Sequence, residues 1–202
     1  MTATATAIDA LEQRLRRARI VPVIRVGDPA HAHRLIRRLL DAGLDTIELT
    51  TTIPGWQQAA AAVRLELPRA GLGVGTILTT EHARQAAAAG ADFCVSPCLV
   101  PGARGVLHTA GIPFIEGGLT PTEVLEAASR GIAKLFPAHV GGPRYLASLL
   151  AVAPGARIMP TGGIPLGEVG AWLAAGAIAV GVGSDLTAAG DIRARVSEAL
   201  TA

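Results

Sequence analysis

The chain has 202 residues, half of them hydrophobic but only 3% aromatic, with 24 Gly, 13 Pro and a mean hydropathy of +0.42. That size fits one domain around an aliphatic core broken by many turns. A formal charge of +2 is too small to imply a nucleic-acid partner, and no apolar run reaches the roughly 18 residues of a membrane span.

In chain order, residues 1–19 read as an N-terminal helix with Leu11 and Leu15 in phase. After its Ala/Thr start it carries charge and lacks the apolar core of a secretion signal, so the protein is expected in the cytoplasm. The basic run from Arg14 to Arg19 is then a solvated helix face. From residue 20 a phrase of glycine, apolar strand and polar or Gly/Pro residues keeps returning, as in DAGLDTIELT, AAGADFCVSP, TAGIPFIEGG, SRGIAKLFPA and AAGAIAVGVGS. With IVPVIR, LGVGT and RIMPT this makes eight candidate strands, beginning near residues 20, 45, 72, 92, 112, 132, 157 and 178. PAHAHRLIRRLLDAG, TEHARQAAAAG, TPTEVLEAASRG and PLGEVGAWLAAG read as helices between them, several opening on Thr, Asp or Pro with Glu in the first turn.

Strict alternation of strand and helix implies a parallel sheet, and eight units imply an α/β fold of the (β/α)8 type, a single TIM barrel with an N-terminal helix. The barrel is expected over residues 20–190 and the closure of its bottom over 1–19, within one domain of 1–202. A doubly wound open sheet is the alternative, but RVGD after the first strand is not a dinucleotide fingerprint. Cys94 and Cys98 have no further ligand cluster and suit a reducing compartment, and His31 and His33 stand two apart on a helix, facing different ways. No metal and no cofactor are expected.

Chemistry in such barrels gathers at the C-terminal ends of the strands. Those ends carry Arg25, Glu48 with Thr50, Thr76, Ser96, Glu116, Lys134 with Phe136, Thr161, and Gly183 with Ser184. Of the 18 basic residues Lys134 is the single lysine, set in the strand IAKLF. Arginine is effectively always protonated, whereas a lysine buried among apolar atoms favours the neutral amine that attacks a carbonyl. Alternation puts Ile132, Lys134 and Phe136 on the inward face and, on strand two, sets Glu48 opposite to Ile47 and Leu49. A Lys/Glu pair can be a structural ion pair or an imine-forming amine with its acid/base, and the uniqueness of Lys134 favours the second. PTGGIP after strand seven and GVGSD after strand eight are glycine-rich turns of the kind that let backbone N–H groups approach a phosphate, although turn glycine alone would look the same.

IELTTT, GVGTIL, CVSP, TPTE, KLFPA, MPTGGI and VGVGSDL, in this order and spacing from about residue 20 to residue 190, resemble the 2-keto-3-deoxy-6-phosphogluconate (KDPG) and 4-hydroxy-2-oxoglutarate (KHG) aldolase family. The resemblance implies a class I, metal-independent, homotrimeric enzyme of the Entner–Doudoroff pathway that cleaves KDPG to pyruvate and glyceraldehyde 3-phosphate. It makes Lys134 the Schiff-base lysine and Glu48 the proton shuttle. It also implies that Thr76, with Thr50 and Phe136, holds the pyruvate half, while Gly162, Gly163, Gly183 and Ser184 hold the phosphate. Thr52 stands where some members have a carboxylate-binding arginine after the strand-two Glu, and Arg25 matches the members whose arginine ends strand one instead, so the resemblance implies that Arg25 meets the substrate carboxylate. Thr161, Ser96 and Pro97 are further candidates.

Two departures bear on specificity. Glu116 replaces a common proline, so that it either turns away from the site or shifts its preference. His139 replaces a common acidic residue and either favours an anion or is an exposed loop histidine. GGPRYL and GSDL resemble the galactonate branch of the family and PTGGI the gluconate branch. The galactonate epimer and KHG are therefore alternative substrates. Outside this chemistry stand a phosphate-binding barrel isomerase and a non-catalytic sugar-acid-binding barrel.

Overall fold

The structure, a computed structural model, describes residues 3–187 and 191–201. Helix α1 (Ala3–Ala18) precedes β1 (Ile20–Ile24), α2 (Pro29–Asp41), β2 (Thr46–Thr50), α3 (Trp56–Glu66) and β3 (Gly71–Gly75). Then follow α4 (Thr80–Ala88), β4 (Phe93–Val95), α5 (Pro101–Thr109), β5 (Phe114–Gly118), α6 (Pro121–Ala128) and β6 (Ile132–Leu135). The last part holds α7 (Gly142–Val152), β7 (Arg157–Pro160), α8 (Val169–Ala174), β8 (Val180–Val182), α9 (Ser184–Thr187) and α10 (Ile192–Thr201). No helix among the described residues is long and apolar enough to cross a membrane.

The eight strands are parallel in the order β7-β6-β5-β4-β3-β2-β1-β8. The ring closes between β7 and β8 through one bridge, Thr161 to Gly181, and the hydrogen bond from Ile178 N–H to Ile158 O at 3.1 Å. This is the expected (β/α)8 barrel, with strand starts within two residues of those read from sequence.

Alternation divides the core in two. Inward residues, among them Val21, Phe93, Val95, Ile115, Ile132 and Met159, fill the barrel together with Leu11 and Leu15 of α1. Outward residues such as Ile47, Leu49, Ala133 and Leu135 meet the helices. In α2 the apolar face is Ala32, Leu35, Ile36 and Leu39, one helical stripe, and Asp28 caps its start by accepting from Ala30 N–H at 3.1 Å and His31 N–H at 2.9 Å.

Helix α1 covers the end where the strands begin: Ile8 lies over Gly131, Arg14 over Gly71, and Asp9 and Glu12 pair with Arg157 at 3.0 and 3.1 Å. One helix differs from expectation. PLGEVGAWLAAG forms a 3-10 turn at Leu166–Glu168 and only a short α8, because Gly167 and Gly170 weaken the helix they sit in.

Candidate active site

Strand β6 buries Lys134 at 4% exposure with Ile132 on the same inward face, and its Nζ lies 5.5 Å from the centre of the Phe136 ring. Strand β2 buries Glu48 at 1% exposure and points Oε1 at Lys134 Nζ, 3.4 Å away. Room for this carboxylate comes from β3, whose Gly-Leu-Gly-Val-Gly sequence turns glycines inward: a Cβ on Gly75 would strike Glu48 Oε1, and one on Gly73 would strike the Phe93 ring. Glu48 Oε2 is buried with no hydrogen-bond partner, so an acceptor adjoins the amine with its capacity unspent.

Beside this pair a threonine network orients Arg25, which extends from β1. Its Nη1 donates to Thr52 Oγ1 and its Nη2 to Thr76 Oγ1, both at 3.2 Å. Thr50 Oγ1 donates to Ile24 O at 2.8 Å and lies 2.9 Å from Thr52 Oγ1, while Thr51 Oγ1 donates to Thr76 O at 2.8 Å. Thr76 itself holds φ +63, a left-handed conformation that is strained for a β-branched residue and costs on the order of 1–3 kcal/mol. Bonds to both its hydroxyl and its carbonyl keep it there.

A cavity of about 700 Å³ opens above Lys134, lined also by Val23, Arg25, Phe136, Pro137, His139 and Thr161. Its far end is built from Gly162, Gly163, Ile164 and Pro165 after β7 and from Gly183, Ser184 and Asp185 after β8. Gly162 (φ +98) and Gly163 (φ +70) take backbone conformations that other residues resist, and a Cβ on Gly162 would lie 2.8 Å from the Phe136 ring. The turn is tied to the preceding loop by Ala138 N–H donating to Thr161 O at 2.9 Å and His139 N–H to Gly162 O at 3.1 Å. The imidazole Nδ1 also lies 3.2 Å from Gly162 O. Thr161 Oγ1, buried against Gly181, has no partner.

Most of the sequence candidates therefore converge on one place, but three do not. Glu116 is buried at 3% exposure on the outward face of β5, where its oxygens accept from Val100 N–H at 2.7 Å, Arg104 Nε at 2.6 Å and Arg130 Nε at 3.3 Å. Alternation explains this: Ile115 faces in, so Glu116 faces out and Gly117 stands beside Lys134. Ser96 Oγ accepts from Cys98 N–H at 3.3 Å within the turn after β4, and Pro97 lies with Ser96 over Gly117. Neither lines the cavity. Among the polar residues of the site, Asp185, Thr51 and Thr52 received no role from the sequence, although GVGSD and the missing arginine drew attention to Asp185 and Thr52. Among the described residues no three His, Cys, Asp or Glu side chains are grouped so as to hold a metal.

A model of the family described as KDPG and KHG aldolase matches residues 11–202. The chain belongs to that family. Membership makes it a carbon–carbon lyase of the aldolase type, as the sequence motifs led one to expect. Among its relatives, a 2-dehydro-3-deoxy-phosphogluconate aldolase of Treponema pallidum is 38% identical over 165 residues, covering 79% of this chain and 78% of the relative. A probable 2-dehydro-3-deoxy-6-phosphogalactonate aldolase of Rhizobium meliloti is 31% identical over 191 residues, covering 91% and 90%. The crystal structure of KDPG aldolase from Legionella pneumophila, with pyruvate captured as a covalent carbinolamine, superposes with a TM-score of 0.81 at 26% identity, covering 94% of each chain. The aldolase fold and the pairing of inward lysine and glutamate thus meet in one barrel.

Proposed function

We propose that this aldolase reversibly cleaves KDPG to pyruvate and glyceraldehyde 3-phosphate through an imine on Lys134. The observation that carries the reading is the single lysine of the chain, buried in a barrel strand at 3.4 Å from a carboxylate whose other oxygen is unpartnered. Neutral Lys134 attacks the C2 ketone, and the carbinolamine loses water to give a protonated imine. Glu48, directly or through a water, moves the protons of these steps. The C4 hydroxyl then gives its proton to Glu48, directly or through a water, as the C3–C4 electron pair flows into the imine, and the same proton is available for the later protonation at C3. Glyceraldehyde 3-phosphate leaves and an enamine remains. Protonation at C3 restores the imine, and water releases pyruvate and regenerates the amine.

Arg25, preset by Thr52 and Thr76, meets the carboxylate of the pyruvate half, with Thr50 and Phe136 shaping its seat. Its planar fork suits a carboxylate, and its bonds to hydroxyls leave the charge unneutralised. The phosphate lies on the N–H groups of Gly162, Gly163 and Gly183 with the Ser184 hydroxyl, and Thr161 and His139 flank the chain between. We place the whole of 1–202 in one catalytic domain. It assembles as a homotrimer in the cytoplasm and serves the Entner–Doudoroff pathway. The test is pyruvate release from KDPG and from its galactonate epimer, with Lys134→Ala as control. Cleavage of KDPG by the native protein alone supports the reading. Equal release by the variant contradicts it, and preference for the epimer moves the assignment to the galactonate branch.

A further inference from the structure

The cavity contains a carboxylate where an anion is to bind. Asp185 lines the end assigned above to phosphate, and a free carboxylate there would oppose a dianion. Both its oxygens are engaged instead: Oδ2 accepts from Leu166 N–H at 2.7 Å, and Oδ1 pairs with Arg195 Nη2 of α10 at 3.1 Å. Leu166 ends the glycine loop after β7, while Asp185 belongs to α9, the short helix that follows β8 and Gly183. These two strands meet at the closing seam of the barrel, joined by the Thr161–Gly181 bridge and the hydrogen bond from Ile178 N–H to Ile158 O and by no regular ladder among the described residues. Above that seam no strand ladder fixes the spacing of the two segments. The β7 loop is held at its start by His139 N–H on Gly162 O and at its far end by Asp185.

We propose that Asp185, charge-compensated by Arg195, is a positioning residue that straps the loop after β7 to the start of α9 after β8 and sets the glycine turns on both sides to receive a phosphate monoester. The identity of the ligand rests on the aldolase reading. Glycine turns have more conformational freedom to lose on binding than other segments, and a strap that removes it beforehand preserves affinity. Helix α10, which packs on the Leu166–Glu168 turn, thereby becomes part of substrate recognition without touching the substrate.

The test is calorimetric binding of glycerol 3-phosphate to the native protein, Asp185→Ala, Asp185→Asn and Arg195→Met, each also assayed for melting temperature and for trapping of pyruvate by borohydride. Asp185→Ala is expected to weaken glycerol 3-phosphate by about tenfold or more while pyruvate is trapped at the native rate. Asp185→Asn keeps an acceptor for Leu166 N–H and is expected to recover most of the binding. Arg195→Met leaves a carboxylate uncompensated, so its deficit is expected to grow as ionic strength falls. Asp185→Asn and Arg195→Met decide the matter should Asp185→Ala not fold. Variants that melt lower yet bind like the native protein would overturn the inference. So would a native protein that traps pyruvate and binds no glycerol 3-phosphate. A native protein that traps no pyruvate counts against the aldolase reading, separately from the binding ratio.

Discussion

At the residue scale the difference between lysine and arginine decides the chemistry. Lys134→Arg keeps the cation in a protein that uses arginine at its 17 other basic positions, but it removes the amine. Pyruvate release is expected to fall to background while the melting temperature stays within a few degrees, a separation that a structural ion pair would not give. Glu48→Gln should retain packing and lose proton transfer, lowering kcat by about 10²–10⁴-fold with a smaller change in KM, measured at steady state. Glu116 gives the opposite pattern. It holds Arg104 and Arg130 outside the barrel, and its hydrogen bond raises the Arg104 pKa above the usual guanidinium value. Glu116→Ala is expected to cost on the order of 3 kcal/mol of stability in chemical denaturation, because two guanidinium groups lose a buried partner, while pyruvate trapping on Lys134 persists.

At the element scale, β3 shows how a site can depend on side chains that are missing. Gly75→Ala puts a methyl group where Glu48 Oε1 lies, so the carboxylate must leave the amine. Activity is expected to drop as far as in Glu48→Gln, with native-like circular dichroism. A different test concerns α6, whose start is a capping box: Thr120 Oγ1 receives Glu123 N–H and Glu123 reaches back to Thr120 N–H at 2.9 Å. Thr120→Ala should cost about 1 kcal/mol in thermal or urea unfolding. The Thr120 hydroxyl, followed by the backbone N–H groups of Thr120 and Leu119, lowers the Glu123 pKa. The stabilisation from that carboxylate is therefore present above its unfolded pKa and lost as pH falls through the lower folded one, a loss visible as an acid shift in melting.

These elements also explain what could be read in the sequence. Strands and the helices α2, α4 and α6 announce themselves through glycine stops, caps and apolar spacing. Alternation within IAKLF and TIELT places Lys134 and Glu48 inward. By contrast, α3, α5 and α7 lack side-chain capping bonds, and two glycines fall within α5, so their signals are weak. The purpose of Gly75 depends on which residue stands across from it in three dimensions. The outward turn of Glu116 depends on the phase of β5, which a survey of strand ends alone does not include. The strap through Asp185 joins residues 166, 185 and 195 from three segments, and no local pattern encodes it.

At the scale of the whole molecule, the barrel brings eight strand ends to one rim and leaves α1 to cover the other. The proposed trimer predicts a light-scattering mass three times the 20.5 kDa of the chain, and a monomeric mass would contradict that assembly. Imine formation on Lys134 is tested by intact mass after incubation with pyruvate and borohydride. One reduced pyruvate adduct, mapped by peptide analysis to Lys134 and absent from Lys134→Ala, is the predicted result. A folded protein that stays unmodified, or an adduct equally present in the variant, would contradict it.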